Sequence, residues 1–120
     1  LAKADNLPFE QLRGETFLLF PEHSFINDLC IRECRNAGFE PHIAYTGNRG
    51  ATLIDLVRNG AGITLMMHHS ARQENDSSLA FIPVPPGIYS YISLNYAKEK
   101  PLSPQAESFV RYVKAHKRDF

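Results

Sequence analysis

The sequence has no tryptophan, only two cysteines and no net charge, its Lys and Arg residues being matched in number by Asp and Glu. That balance argues against a nucleic-acid-binding surface spread over this stretch, which would carry a basic excess. Long apolar runs are missing as well. The longest, Phe17 to Pro21, falls far short of the roughly 20 residues that a membrane-spanning helix needs, and nothing at the N-terminus reads as a signal peptide. The two cysteines, Cys30 and Cys34, are too few for a disulfide framework. Four apart on a helix, their Cβ vectors run side by side and do not suit a bridge, so a reducing, cytoplasmic compartment is expected. Catalytic signatures are absent too: there is no Gly-x-Ser-x-Gly elbow, no phosphate-binding glycine loop and no His-Glu-x-x-His. Ser24 lies beside His23, but neighbours at a helix start do not aim at each other. Gly60-Ala61-Gly62 follows a helix, not a strand, so it is no dinucleotide fingerprint. No enzymatic activity is expected. His68 and His69 would point to opposite faces of a strand, and Cys30 and Cys34 fall on an apolar stripe with no further ligands indicated. Neither a metal nor a cofactor is therefore expected.

What is there suits one globular domain. The 120 residues are 43% apolar and 22% charged, and a chain of this length can bury about two-thirds of its unfolded surface. Pro8 to Leu12 reads as one helical turn closed by Gly14. Thr16 to Phe20 reads as a strand buried on both faces. Ser24 is a good N-cap for a helix whose stripe is Ile26, Leu29, Cys30, Cys34 and Ala37, with Asn27, Glu33 and Arg35 off it and Gly38 closing it. His42 to Thr46 is a second strand, Ala51 to Asn59 a second helix with Leu53, Leu56 and Val57 inward, and Gly62 to Met67 a third strand. Strand and helix alternating over short connections predict βαβ units and a parallel sheet. Arg72 to Ser78 reads as a loop, Leu79 to Val84 as a short strand and Tyr89 to Tyr96 as an alternating strand. Ser103-Pro104 starts a last helix with Ala106, Phe109, Val110 and Val113 on one face and a basic tail that complements the helix dipole.

In open α/β sheets, ligands bind beyond the carboxyl ends of the parallel strands, where helix N-termini offer free N–H groups to an anion. Two loops meet that description: Phe20-Pro21-Glu22-His23-Ser24 and Thr46-Gly47-Asn48-Arg49. In a binding reading the ligand is polar, a carboxylate. Ser24 and Asn48 donate hydrogen bonds, Arg49 or His23 contributes charge, and Phe20, Pro21, Thr46 and Met66 line the site. In a purely structural reading Ser24 and Asn48 are helix caps, Arg49 is solvated, and Phe20 and Met66 pack in the core. His68 and His69 are either surface residues or a pair that responds to pH near the cleft mouth.

In order along the chain, several segments resemble the effector-binding domain of the LysR-type transcriptional regulators. They are Leu1-Ala2-Lys3, Phe9-Glu10-Gln11-Leu12-Arg13-Gly14-Glu15, Asn36-Ala37-Gly38-Phe39-Glu40-Pro41, Leu56-Val57-Arg58-Asn59-Gly60-Ala61-Gly62-Ile63, and Pro101-Leu102-Ser103-Pro104 followed by Ala106 and Phe109. Where members usually carry a proline after the third strand, this chain has Met67 and the histidine pair. The resemblance implies an α/β fold of the type-II periplasmic-binding-protein kind: a mostly parallel sheet flanked by helices, plus a crossing strand and a C-terminal helix. Residues 1–88 would form the second lobe, and residues 89–120 the crossing strand and closing helix of an incomplete first lobe. It further implies that the chain, which begins at Leu1, is part of a longer regulator. That regulator would bind a small-molecule effector between its lobes, contact DNA only through a separate helix-turn-helix domain, and form a homodimer or tetramer away from membranes. Effector contacts in both loops, with Asn48 at a position often small and polar, belong to the same implication. A lobe of an extracytoplasmic solute-binding protein, or a related small-molecule-binding α/β protein, is the alternative with the same fold. The apolar face of the last helix (Phe109, Val110, Val113) should lack its lobe and be covered by another copy of the chain or by a rearranged docking.

Overall fold

The structure, a computed structural model, describes residues 7–84 and 93–117. The chain divides into two compact units, Leu1–Ile88 and Tyr89–Phe120.

In the first unit a 3₁₀ turn, Phe9–Leu12, leads into strand β1, Thr16–Leu19. Phe17, Leu18 and Leu19 are all but inaccessible, so β1 is the central strand that its unbroken apolar run predicts. Helix α1, Phe25–Asn36, connects it to strand β2, His42–Thr46, and the two strands run parallel with Thr16 opposite His42 and Leu19 opposite Thr46. Helix α2, Gly50–Arg58, then returns the chain to the other side of β1. There Leu18 N donates to Ile63 O at 2.8 Å and Ile63 N to Thr16 O at 2.9 Å. The parallel α/β unit expected from the alternation is present.

Both helices end where a glycine allows it. Gly38 and Gly60 take positive φ (89° and 78°). Phe39 N and Ala61 N then reach back to Cys34 O and Leu56 O, while Gly38 N and Gly60 N bond Arg35 O and Val57 O. This paired closure satisfies carbonyls that a helix end would otherwise leave free. Cys30 and Cys34 of α1 pack with Phe17 and Leu19 of β1 and with Leu7, Phe9 and Leu12 in the core, and Leu29 of α1 is buried as well.

Several expected elements differ. The third strand is reduced to one bridge at Ile63. Beyond Ile63 the chain does not continue along Leu18 and Leu19 of β1 but enters helix α3, His68–Arg72, four residues after Thr64. The histidine pair therefore opens a short helix instead of closing a strand, and the loop begins at Gln73. Leu79 to Val84 forms no strand, Pro83 near its end offering no ladder donor, although Ile82 and Val84 still pack on the core. In α1, Asn27 is not off the apolar stripe but 1% exposed, and in α2 Ile54 is buried with Leu53 while Leu56 and Val57 are half-buried.

In the second unit, residues 93–96 are exposed and form no strand, and residues 89–92 of the expected strand lie outside the described residues. Helix α4, Pro104–Ala115, has the expected start: Ser103 Oγ accepts from Ala106 N at 3.1 Å, with Pro104 in the first turn. None of its residues is buried, and Phe109 and Tyr112 are each 54% exposed.

Candidate functional site

The C-terminal ends of β1 and β2 lead into the two loops singled out by the sequence. After β1, Ser24 N bonds Pro21 O at 3.1 Å, closing a turn in which His23 adopts φ 67°. A side chain in that left-handed region is uncommon and costs energy that the surrounding bonds must offset. Those bonds are present. Ser24 Oγ accepts from Asn27 N at 3.3 Å, and Asn27 Nδ2 donates to Phe20 O at 2.8 Å. Ser24 is therefore a helix cap, as its structural reading held, and the buried Asn27 amide pins the strand exit to the helix.

After β2, Gly47 N donates to Leu19 O at 3.0 Å, holding the second exit against the first. The exposed Tyr45 ring folds back over Gly47, so that a Cβ there would lie 2.6 Å from Tyr45 Oη and the ring would have to swing aside. Asn48 is exposed and does not cap α2. The cap position belongs to Arg49, also exposed, whose side chain makes no capping bond. The first bond reaching back to the cap is Leu53 N to Arg49 O at 3.3 Å, so the preceding N–H groups are left to solvent or a ligand. Phe20 is half-buried against the same helix start, with its Cζ 3.7 Å from where a Gly50 Cβ would stand.

Beside these loops an open cleft of about 450 Å³ runs between α1 and β2. Glu22 and His23 of the first loop and Asn27, Asp28 and Ile31 of α1 form one wall; Ile43, Ala44, Tyr45 and Thr46 of β2 form the other. Of the residues singled out, His23 and Thr46 line it, while Phe20, Pro21, Ser24, Asn48 and Arg49 stand in the loops at its end. Met66 is half-buried after the Ile63 bridge, away from the cleft lining. Sequence reasoning missed Glu22, Asn27, Asp28, Ile31, Ile43 and Tyr45. For Asn27 the signal existed, since it precedes Cys30 and Cys34 at core spacing for a helix.

Among the described residues no group of three or more His, Cys, Asp or Glu side chains could hold a metal ion. Cys30 and Cys34 are free, fully buried thiols whose pKa values are raised above the ordinary range, foremost by burial. No helix among the described residues is long and apolar enough to cross a membrane. His69 faces Gln73 on α3, Nε2 to Nε2 at 3.4 Å, and both α3 histidines are exposed.

The first unit is thus a parallel α/β unit with an open cleft between α1 and β2. The family is settled by comparison: residues 1–118 match the LysR substrate binding domain, and the chain belongs to that family. It is 28% identical over 94% of its length to the transcriptional dual regulator GltC of Bacillus subtilis, covering 38% of that protein. The uncharacterized HTH-type transcriptional regulators YwbI and YybE of the same organism are 27% and 26% identical over 97% of the chain, which covers 39% of each. The chain thus spans about two-fifths of the length of these relatives.

Proposed function

We propose that this chain is the effector-sensing part of a cytoplasmic LysR-type transcriptional regulator. It binds a small polar metabolite, a carboxylate, at the exits of β1 and β2, and the binding changes how a DNA-binding domain carried elsewhere in the regulator is presented. The reading rests on one observation above others: the loops after β1 and β2 are tied together at the uncapped start of α2, by Gly47 N to Leu19 O and by Phe20 against Gly50. An uncapped helix start with Arg49 and Asn48 beside it supplies N–H groups and positive charge to an anion. The likeness to transcriptional regulators supports the coupling to transcription, which requires differential affinity of the effector for two arrangements of the lobes. On the same reading residues 89–120 close the other lobe, and the regulator works as a homo-oligomer whose copies cover the apolar face of α4.

The test is isothermal titration of the folded chain with small carboxylates and amino acids. Heats that saturate with one of them, and that weaken in Arg49→Ala, are expected. No binding of any compound by a demonstrably folded protein overturns the reading.

A further inference from the structure

The neutrality of the chain hides a division of charge. Residues 1–88 carry ten Asp or Glu against seven Lys or Arg, and residues 89–120 carry six Lys or Arg against three Asp or Glu. The two units are of opposite sign, so the first unit of one copy attracts the second unit of another. Each unit also leaves an apolar surface open. In the second it is α4, where Phe109 and Tyr112 are each 54% exposed beside half-buried Val110 and Val113, with Lys114 and Lys117 exposed toward its C-terminal end. In the first it is the cleft between α1 and β2, where Ile31, Ile43, Ala44 and the exposed Tyr45 supply the apolar lining. That lining includes Glu22 and Asp28 and neither Lys nor Arg. Both carboxylates are exposed, and neither forms an ion pair among the described residues.

We infer that, in the 120-residue chain, α4 of a second copy seats in the cleft between α1 and β2. Phe109 and Tyr112 meet Ile31, Ile43 and Tyr45, and Lys114 and Lys117 face Glu22 and Asp28. This rests on the reading above that copies of the chain cover α4, and it adds the surface that does so. A helix laid in a groove is held by apolar anchors at three- and four-residue spacing, which Phe109, Tyr112 and Val113 supply. The charges set its direction. Glu22 and Asp28 gather at the start of α1, and the lysines stand at the end of α4, so the seated helix runs antiparallel to α1. Turned the other way, it would carry its lysines away from both carboxylates. Each copy has one such helix and one such cleft, so a mutual exchange closes at two copies.

The experiment is sedimentation velocity of the chain and of two charge-reversed variants at exposed positions, Glu22→Lys with Asp28→Lys and Lys114→Glu with Lys117→Glu. Alone, each variant should associate at least about tenfold more weakly than the wild type, because like charges then meet. Mixed in equal amounts, the two should associate as the wild type does, since both contacts of the exchanged pair again join opposite signs. A variant that self-associates as the wild type does, or a mixture that stays monomeric, overturns the cleft as the seat of α4 while leaving its cover by another copy standing. A wild type that stays monomeric at every concentration overturns both.

Discussion

Asn27 and Gly62 carry constraints that a list of apolar residues does not reveal. Asn27 looks like a polar residue on a solvated helix face, yet it is fully buried because Phe20 O, the last carbonyl before Pro21, has no strand partner and takes the Asn27 amide instead. Replacing it with Ala leaves that carbonyl unpaired, so Asn27→Ala should lower stability by about 1–3 kcal/mol, read as a shift in the urea midpoint at unchanged slope. Gly62 stands against Thr16 O, nearer than a Cβ can approach, whereas Gly60 has positive φ and nothing within 4 Å of its missing Cβ. The two glycines are thus required for different reasons. Gly60→Ala should cost the roughly 1–2 kcal/mol of a left-handed side chain. Gly62→Ala must push the chain off β1 and break the Ile63 bridge, and it should be the more damaging of the two. Equal urea midpoints for these variants would contradict the close approach.

Elements bounded by caps were readable from the sequence, and elements defined by distant partners were not. Ser24, Gly38, Gly60 and Ser103-Pro104 mark helix ends through bonds within a few residues, so α1, α2 and α4 fall close to their expected limits. The strands after Gly62 and Leu79 depend on a neighbour that no local signal reveals: after Ile63 the chain leaves β1 for α3, and Leu79 to Val84 pairs with no strand among the described residues. The α1–β2 groove was hidden for the same reason: its walls come from segments brought together only by the β1–β2 pairing. One tie between elements makes a pH prediction. Asp76, in the loop after α3, accepts from Ser78 Oγ at 2.6 Å and Ser78 N at 2.8 Å, and pairs with Arg58 of α2 at 2.5 Å. The Ser78 hydroxyl first, then Arg58, pulls its pKa from 3.8 down to about 2. A carboxylate depressed in the folded state stabilises fully above its unfolded pKa, and that contribution is lost as pH falls through the folded value. Between about pH 5 and pH 2 the wild type should therefore lose more stability than Asp76→Asn, as measured by urea midpoints across that range. Inside the same unit, burial keeps the Cys30 and Cys34 thiols protonated. A thiol reagent should label them only as fast as the chain unfolds, and rapid native-state labelling would refute that packing.

At the scale of the whole molecule, the two units differ in how they meet water. The first has a closed core built on β1. The second offers α4, whose Phe109 and Tyr112 are each 54% exposed beside half-buried Val110 and Val113. An apolar helical stripe of this kind marks a surface meant to be covered. The chain covers only 38–39% of the length of its regulator relatives, so in a longer regulator another segment can supply the cover. For the 120-residue chain itself, the proposed cover is a second copy. Sedimentation velocity should then show association that grows with concentration, and Phe109→Glu with Tyr112→Glu should return the chain to a monomer. Because neither side chain belongs to the core around β1, the double variant should keep the wild-type urea midpoint for the first unit. A wild type that stays monomeric at every concentration would leave α4 exposed in solution and remove the oligomer from the proposed mechanism.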